Sequence, residues 1–198
     1  MKSMTTKQSN NMTSSKELHE MTIHELGQLF PIVIQNYSDK WIELYEAEKK
    51  LITENFAKSE IISIDHIGST AIPGLKAKPT IDILFQVSEQ IDIPKMKTIF
   101  KSLNYHINEP ANNPPPHLTF VKGYSKEGYK GQSFHIHVRY KGDWNEIRFR
   151  DYLINHEDIA KEYENLKLTL AKRYRNDREV YTSSKTDFIE KINKLTQE

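Results

Sequence analysis

One carboxylate stands inside an apolar strand: Asp82, in Thr80-Ile81-Asp82-Ile83-Leu84-Phe85-Gln86-Val87. A buried carboxylate with no partner is expensive, so Asp82 must be paired, hydrogen-bonded or bound to a cation. Its place near a strand end, beside a glycine-rich loop, suits a hard divalent cation such as Mg2+, which takes oxygen ligands and lets phosphate oxygens complete its shell. Gly68-Ser69, after the apolar run Ile61 to Ile67, supplies the complementary part. Glycine lets the backbone approach a ligand closely, serine offers a hydroxyl and an N–H, and the N–H groups of such a turn cradle phosphate. Lys76 and Lys78 in the same loop would neutralise its charge. A Gly-Ser pair alone fits an ordinary turn better than a phosphate site; it is the acid in the following strand that gives it chemical meaning.

The histidines come next. His135 and His137 alternate within Ser133–Tyr140 and so share a strand face, and His66 precedes the Gly-Ser turn, two residues before Gly68. Asp82 with two or three imidazoles would form an oxygen and nitrogen site that favours Mn2+, Fe2+ or Zn2+ over Mg2+. The other reading is that these histidines hydrogen-bond within the sheet. Arginine forks grip phosphate well, which brings Arg150 into the candidate set. Arg148 and Asp151 are three residues apart and read as a surface pair. Tyr181 and Lys185 would reach a base or a phosphate from the C-terminal helices, although packing and capping explain them too. The run 172–179 (KRYRNDRE) reads as a solvated helix end.

Strand, Gly-Ser, twelve intervening residues, then Asp in a second strand resembles the nucleotidyltransferase signature of the polymerase-beta superfamily. That resemblance implies that Gly68 and Ser69 hold the terminal phosphates of a nucleoside triphosphate, and that the downstream acids hold metals. More narrowly, residues 66–75 (HIGSTAIPGL), 77–83 (AKPTIDI), 135–138 (HIHV), 149–153 (FRDYL), 181–185 (YTSSK) and the opening 37–41 (YSDKW) resemble the GrpB family, from about residue 32 to the C-terminus. The implied set is Asp82 as the catalytic acid and Gly68, Ser69, Lys78, Arg150 and Lys185 as phosphate or nucleotide contacts. For the metal, the resemblance implies Asp82, and the residues themselves add His135, His137 and His66 as candidate ligands. The implied cofactor is a divalent metal (Mg or Mn, with Zn suited to the histidines), and the implied partner is a small-molecule nucleotide.

One position departs from the superfamily pattern. Active members carry Asp-x-Asp or Asp-x-Glu, and here the second place is Leu84. Residues two apart on a strand share a face about 6.6 Å apart, so a leucine stands where the second carboxylate belongs. Two-metal catalysis needs ligands for both ions, so either another residue substitutes or the two-metal site is incomplete. The expectation is a nucleotide-binding, metal-dependent nucleotidyltransferase-like protein. The alternative is a non-catalytic nucleotide or coenzyme-phosphate binding module, in keeping with the resemblance of GrpB-like domains to a domain fused to dephospho-coenzyme A kinases. A third reading ranks lower. His117-Leu118-Thr119 fits one half-motif of two-histidine phosphoesterases, but the only second half is His135-Ile136-His137, whose third residue is not Ser or Thr.

The elements that must position these residues are legible as patterns. A helix is expected over Asp39–Phe56, with Ser38 as N-cap and Trp41, Leu44, Tyr45, Leu51 and Ile52 on one stripe. Strands are expected at Ile61–Ile67, Thr80–Val87, Tyr105–Asn108, His117–Lys122 and Ser133–Tyr140, with a helix at Pro94–Leu103. Three helices follow, at Asn145–Asn155, Asp158–Tyr174 and Ser184–Leu195. The loop 110–116 (PANNPPP) is too proline-rich for regular hydrogen bonding. The order predicts an α+β (or α/β) domain at 18–198: a mixed sheet of about five strands, of nucleotidyltransferase type, backed by helices and ending in a helical segment. Residues 1–17 are polar, lack the apolar core of a secretory signal and read as a flexible arm.

Totals set the remaining bounds. The 198 residues suffice for one domain with a real core. Lys and Arg number 28 against 27 Asp and Glu, and so near a balance argues against extended nucleic-acid binding. The absence of cysteine excludes disulfides, zinc ribbons and thiol catalysis and fits a cytoplasmic location. No run reaches the roughly 18 apolar residues of a membrane span.

Overall fold

The apolar runs on either side of the glycine-rich loop form an antiparallel pair, β1 (Ile61–Ile67) and β2 (Thr80–Val87). The computed structural model describes residues 16–108, 114 and 116–197. Three further strands, β3 (His106–Asn108), β4 (Leu118–Ser125) and β5 (Gly128–Tyr140), complete a five-stranded sheet in the order β1-β2-β5-β4-β3. β2 and β5 run parallel and the other pairs antiparallel, so the sheet is mixed, as the element order predicts.

Strand alternation divides the sheet into two unlike faces. Ile81, Ile83, Phe85 and Val87 point to one side and are buried against α2 (Lys40–Asn55) and α3 (Ile93–Ser102) through Trp41, Tyr45, Ile52, Met96 and Phe100. Each fully buried large apolar side chain contributes about 1.5–3 kcal/mol, so this face anchors the fold. Asp82 and Leu84 point to the other side. The cover there is built from α4 (Asn145–Asn155), α5 (Glu157–Arg173), α6 (Arg178–Ser183) and α7 (Thr186–Leu195). Phe149, Leu153, Tyr163 and Ile192 of these helices pack with Ile72 and Leu75 of the β1–β2 loop. A short helix, α1 (Ile23–Leu29), is closed by a capping box between Thr22 and Glu25.

Several expectations need correction. The N-cap of α2 is Asp39 rather than Ser38, and Asp39 makes no side-chain cap bond. The β4–β5 hairpin extends ten residues further than the apolar runs suggest, through 123–132, because Gly123, Gly128 and Gly131 adopt positive φ and let the strands bend at the register shift. The run 172–179 is not simply a helix end. It closes α5 and starts α6, whose N-cap Asp177 accepts a bond from the Val180 N–H, so four C-terminal helices replace three. Most of the expected N-terminal arm (1–15), and residues 110–113 and 115 of the proline-rich loop, lie outside the described residues. No described helix is long and apolar enough to cross a membrane.

Candidate metal and phosphate site

The register of the sheet decides which side chains meet. Asp82 pairs with Ile67 on β1 and with His135 on β5, and Leu84 pairs with His137. Paired residues share a face, so Asp82, Leu84, His135 and His137 all look toward the C-terminal helices. Gly68 ends β1 directly beside the acid. Its φ is +71°, and a Cβ there would stand 2.7 Å from Asp82 Oδ2. Any larger residue would push the carboxylate out of place, so glycine is needed on two counts, backbone conformation and close approach.

Asp82 Oδ1 lies 3.2 Å from His135 Nδ1 and 3.6 Å from His137 Nε2. The second distance is too long for a hydrogen bond. Both suit three ligands of one cation. The ligand atoms lie within 4.8 Å of one another, and the edge of a tetrahedron with metal–ligand bonds of about 2.1 Å is about 3.4 Å. The donor set of one carboxylate and two imidazoles fits Mn2+, Fe2+ or Zn2+ better than Mg2+. The Asp82 side chain is 27% exposed, open enough to accept further ligands. Burial acts to raise its carboxyl pKa, but the contacts to His135 and His137 outweigh burial and hold it far below the usual carboxylate range. Asp82 is therefore an anion at any physiological pH.

The outer nitrogen of His135 is also engaged. Its Nε2 is 2.7 Å from the Tyr124 hydroxyl, and the two rings stack. Facing the carboxylate, Nδ1–H donates to Asp82 and Nε2 accepts from the Tyr124 hydroxyl; a bound cation would call for the other tautomer, with Nε2–H donating to Tyr124 and the Nδ1 lone pair given to the metal. Burial lowers the His135 pKa, opposed by Asp82, which favours the neutral ring.

His66 is not brought to this cluster. It pairs with Ile83 across the sheet and so points to the α2 face, where its ring stacks on Tyr45 at 4.7 Å. Thr70 Oγ1 spends its proton on the Thr80 carbonyl, so His66 Nε2–H must donate to Thr70 Oγ1 at 3.0 Å. Burial lowers its pKa to about 4. This imidazole locks the turn that follows Gly68 from behind.

Cations ring the open side. Burial, with Arg178 and Lys185 nearby, brings Lys78 down to about 7, against the pull of Asp82. Burial likewise lowers Lys185, again opposed by Asp82. Lys167, only 2% exposed, is lowered to about 7 by burial and by Lys185. Ser69 lies against the phenol of Tyr163, whose pKa burial raises. Burial is the main cause for all three lysines, and for Lys78 and Lys167 the neighbouring cations add to it.

The loop carrying Lys78 is clamped by α5. Glu164 accepts the Lys76 N–H at 2.8 Å, and Lys167 Nζ donates to the Lys76 carbonyl at 2.7 Å. Arg150 does not face the cations: its guanidinium donates to the His66 carbonyl at 2.8 Å and to Asp151 at 2.7 Å, fixing the end of β1 to α4. Arg148 pairs with Asp143 and Asn145, not with Asp151. The two phosphoesterase half-motifs lie on adjacent strands, Thr119 pairing with His137, but their leading histidines stand apart along the ladder: His135 pairs with Val121, while His117, packed on Trp144, lies one residue beyond the Leu118–Val138 pair.

Tyr124, Tyr163, Lys167 and Arg178 escaped the sequence reading. Tyr163 and Lys167 lie four apart on one face of a strongly periodic helix, a pattern that also describes ordinary packing. Tyr124 and Arg178 sit in segments whose glycines and mixed charges read as loop and helix end.

Residues 31–195 match the family described as GrpB protein. The glutamate-rich protein GrpB of Alkalihalophilus pseudofirmus is 36% identical over 174 residues, which cover 81% of this chain and 93% of that protein. UPF0157 protein YqkA of Bacillus subtilis is 34% identical over 77% of this chain, which spans 43% of that longer relative. The crystal structure of the conserved protein GrpB from Enterococcus faecalis has the same fold, with a TM-score of 0.71 and 27% identity over 83% of this chain and 96% of that one. With the family matched along most of its length and a relative of similar span sharing more than a third of its residues, the chain belongs to the GrpB family.

Proposed function

We propose that this protein binds a nucleoside triphosphate together with a divalent cation and transfers the nucleotidyl group to a small acceptor. The observation that carries the reading is the convergence on one carboxylate: Asp82 faces Gly68, stands within ligand spacing of His135 and His137, and is overlooked by Lys78 and Lys185. The likeness of this arrangement to the nucleotidyltransferase signature adds the reaction class. A cation held by Asp82, His135 and His137 would neutralise phosphate charge there. The Gly68–Ser69 turn and the two lysines would hold the triphosphate tail in line. An acceptor hydroxyl or amine attacks the α-phosphorus, a P–O or P–N bond forms, the α–β bridging P–O bond breaks, pyrophosphate leaves and the acceptor proton passes to solvent.

One observation favours a second reading. Leu84, at the second acid position, is fully buried, so the protein would then hold the nucleotide without transferring it. Titration calorimetry with ATP, CTP, GTP and UTP, each with Mg2+ or Mn2+, tests both. We expect binding of at least one triphosphate that weakens more than about 100-fold in Asp82→Ala, a loss in line with removal of a ligand carboxylate. Pyrophosphate release during incubation then distinguishes transfer from binding alone. Triphosphate affinity indifferent to Asp82→Ala would reject both readings.

A further inference from the structure

A groove of about 1270 Å³ runs from His135 across the outer half of the same sheet face. Its floor includes His106, Val121 and Tyr124, and Leu26 and Phe30 wall it. Arg178 stands where the groove meets His135. Its guanidinium lies 5.5 Å over the Tyr124 ring and 5.9 Å from the Phe30 ring, with one long bond, 3.5 Å, to the Tyr129 hydroxyl. Phe30, Tyr124 and Tyr129 in turn pack edge-on or tilted on one another, at 5.1 to 5.7 Å. Among the described residues no carboxylate lies within ion-pair distance of Arg178. An arginine held by aromatic faces, with most of its donors unspent, is preorganised for a planar fork-to-fork contact with an oxyanion.

We infer that this groove is the acceptor site and that Arg178 anchors an acceptor bearing a carboxylate or phosphate group beside His135. That the occupant is the acceptor rests on the nucleotide reading above; that the groove binds an oxyanion does not. Of the acids that line the groove, Glu17 is paired with Lys126 at 3.2 Å, while Glu127 and Glu179 form no ion pair among the described residues and would face a donor group elsewhere on the ligand. The volume exceeds what a single anion needs and suits a molecule of metabolite size or larger.

The test uses the full chain, 15N-labelled, titrated separately with inorganic phosphate and with succinate and followed by amide shifts of Gly123, Tyr124 and His106. We expect one of the two probes to move these signals, phosphate pointing to a phosphorylated acceptor and succinate to a carboxylated one. Arg178→Gln should weaken that probe by about tenfold or more, because the fork is lost. Arg178→Lys, which keeps the charge and guards against a folding defect, should recover only part of it. Lys185→Gln should change it less than about threefold, because that lysine belongs to the triphosphate side of Asp82. Affinity for ATP with Mn2+ should fall in Lys185→Gln, whose ammonium lies near Asp82. Probe binding without any ATP binding would leave the groove an oxyanion site and reject the nucleotide reading. Silence of the groove signals with both probes, or shifts unaffected by Arg178→Gln, would overturn the inference.

Discussion

At the scale of single residues, the site is organised by Asp82 and by what surrounds it. The carboxylate is kept ionised by two imidazoles and kept in place by a glycine. Gly68→Ala tests the second point. The new Cβ would meet Asp82 Oδ2 at 2.7 Å in a backbone conformation with φ +71°, so we expect a loss of about 1–3 kcal/mol in denaturant unfolding. Mn2+ affinity should fall in parallel. A variant as stable as the parent that still binds Mn2+ normally would mean that the acid does not depend on this contact. Asp82 was legible because a charge in an apolar strand demands a reason. His135 and His137 were legible because alternation put them on one face. His66 was assigned to the same cluster, and the register sends it to the opposite face: proximity in sequence to Gly68 says nothing about which side of a strand a residue takes. Arg150 was expected at the phosphate and instead holds the His66 carbonyl, since an arginine long enough to reach a ligand is equally able to satisfy a strand-end carbonyl.

At the scale of elements, the position of Lys78 depends on how α5 grips the β1–β2 loop. Glu164 is 3% exposed and accepts both the Lys76 N–H and Lys161, while Lys167 closes the Lys76 carbonyl. Replacing Glu164 by Ala leaves a buried N–H without its acceptor and Lys167 without its nearest negative charge. We expect a cost of about 2–3 kcal/mol and faster amide exchange across 72–79, with the sheet unchanged. Exchange as slow as in the parent would show that the loop holds its shape without α5. The sequence reading placed β1, β2 and α4 at the observed bounds, because each is a clean periodic run between breakers. It lost α6 because six helical residues between two longer helices leave no periodicity to detect. It cut the β4–β5 hairpin short because glycines at 123, 128 and 131 look like loop until the partner strand is known.

At the scale of the whole molecule, one sheet has two unlike faces: its α2–α3 face carries the main core, and its other face carries the candidate site. His66 links the sides, and its depressed pKa makes stability depend on pH. Above pH 6.5 the imidazole is neutral both folded and unfolded, and its contribution is fully present. Between 6.5 and about 4 the unfolded chain takes up a proton that the fold refuses, so stability falls as pH falls. Below about 4 the loss is complete, at up to about 3 kcal/mol for the 2.5-unit gap between 6.5 and 4. His66→Phe keeps a ring against Tyr45, and its unfolding free energy should fall less between pH 6.5 and 4 than that of the parent. Parallel pH profiles would place the acid sensitivity elsewhere. The mixed sheet was predictable from element order, but the alignment of Asp82 with His135 was not, because a parallel pairing between distant strands is set by packing that no local pattern records.

The proposed function requires a cation at Asp82, His135 and His137 with phosphate oxygens on its open side. Pulsed electron paramagnetic resonance of the protein with Mn2+ and ATP reads this directly. We expect imidazole nitrogen and phosphorus hyperfine couplings on the same Mn2+ ion, both absent in Asp82→Asn. Phosphorus coupling without nitrogen coupling, or a spectrum unchanged in Asp82→Asn, would contradict it.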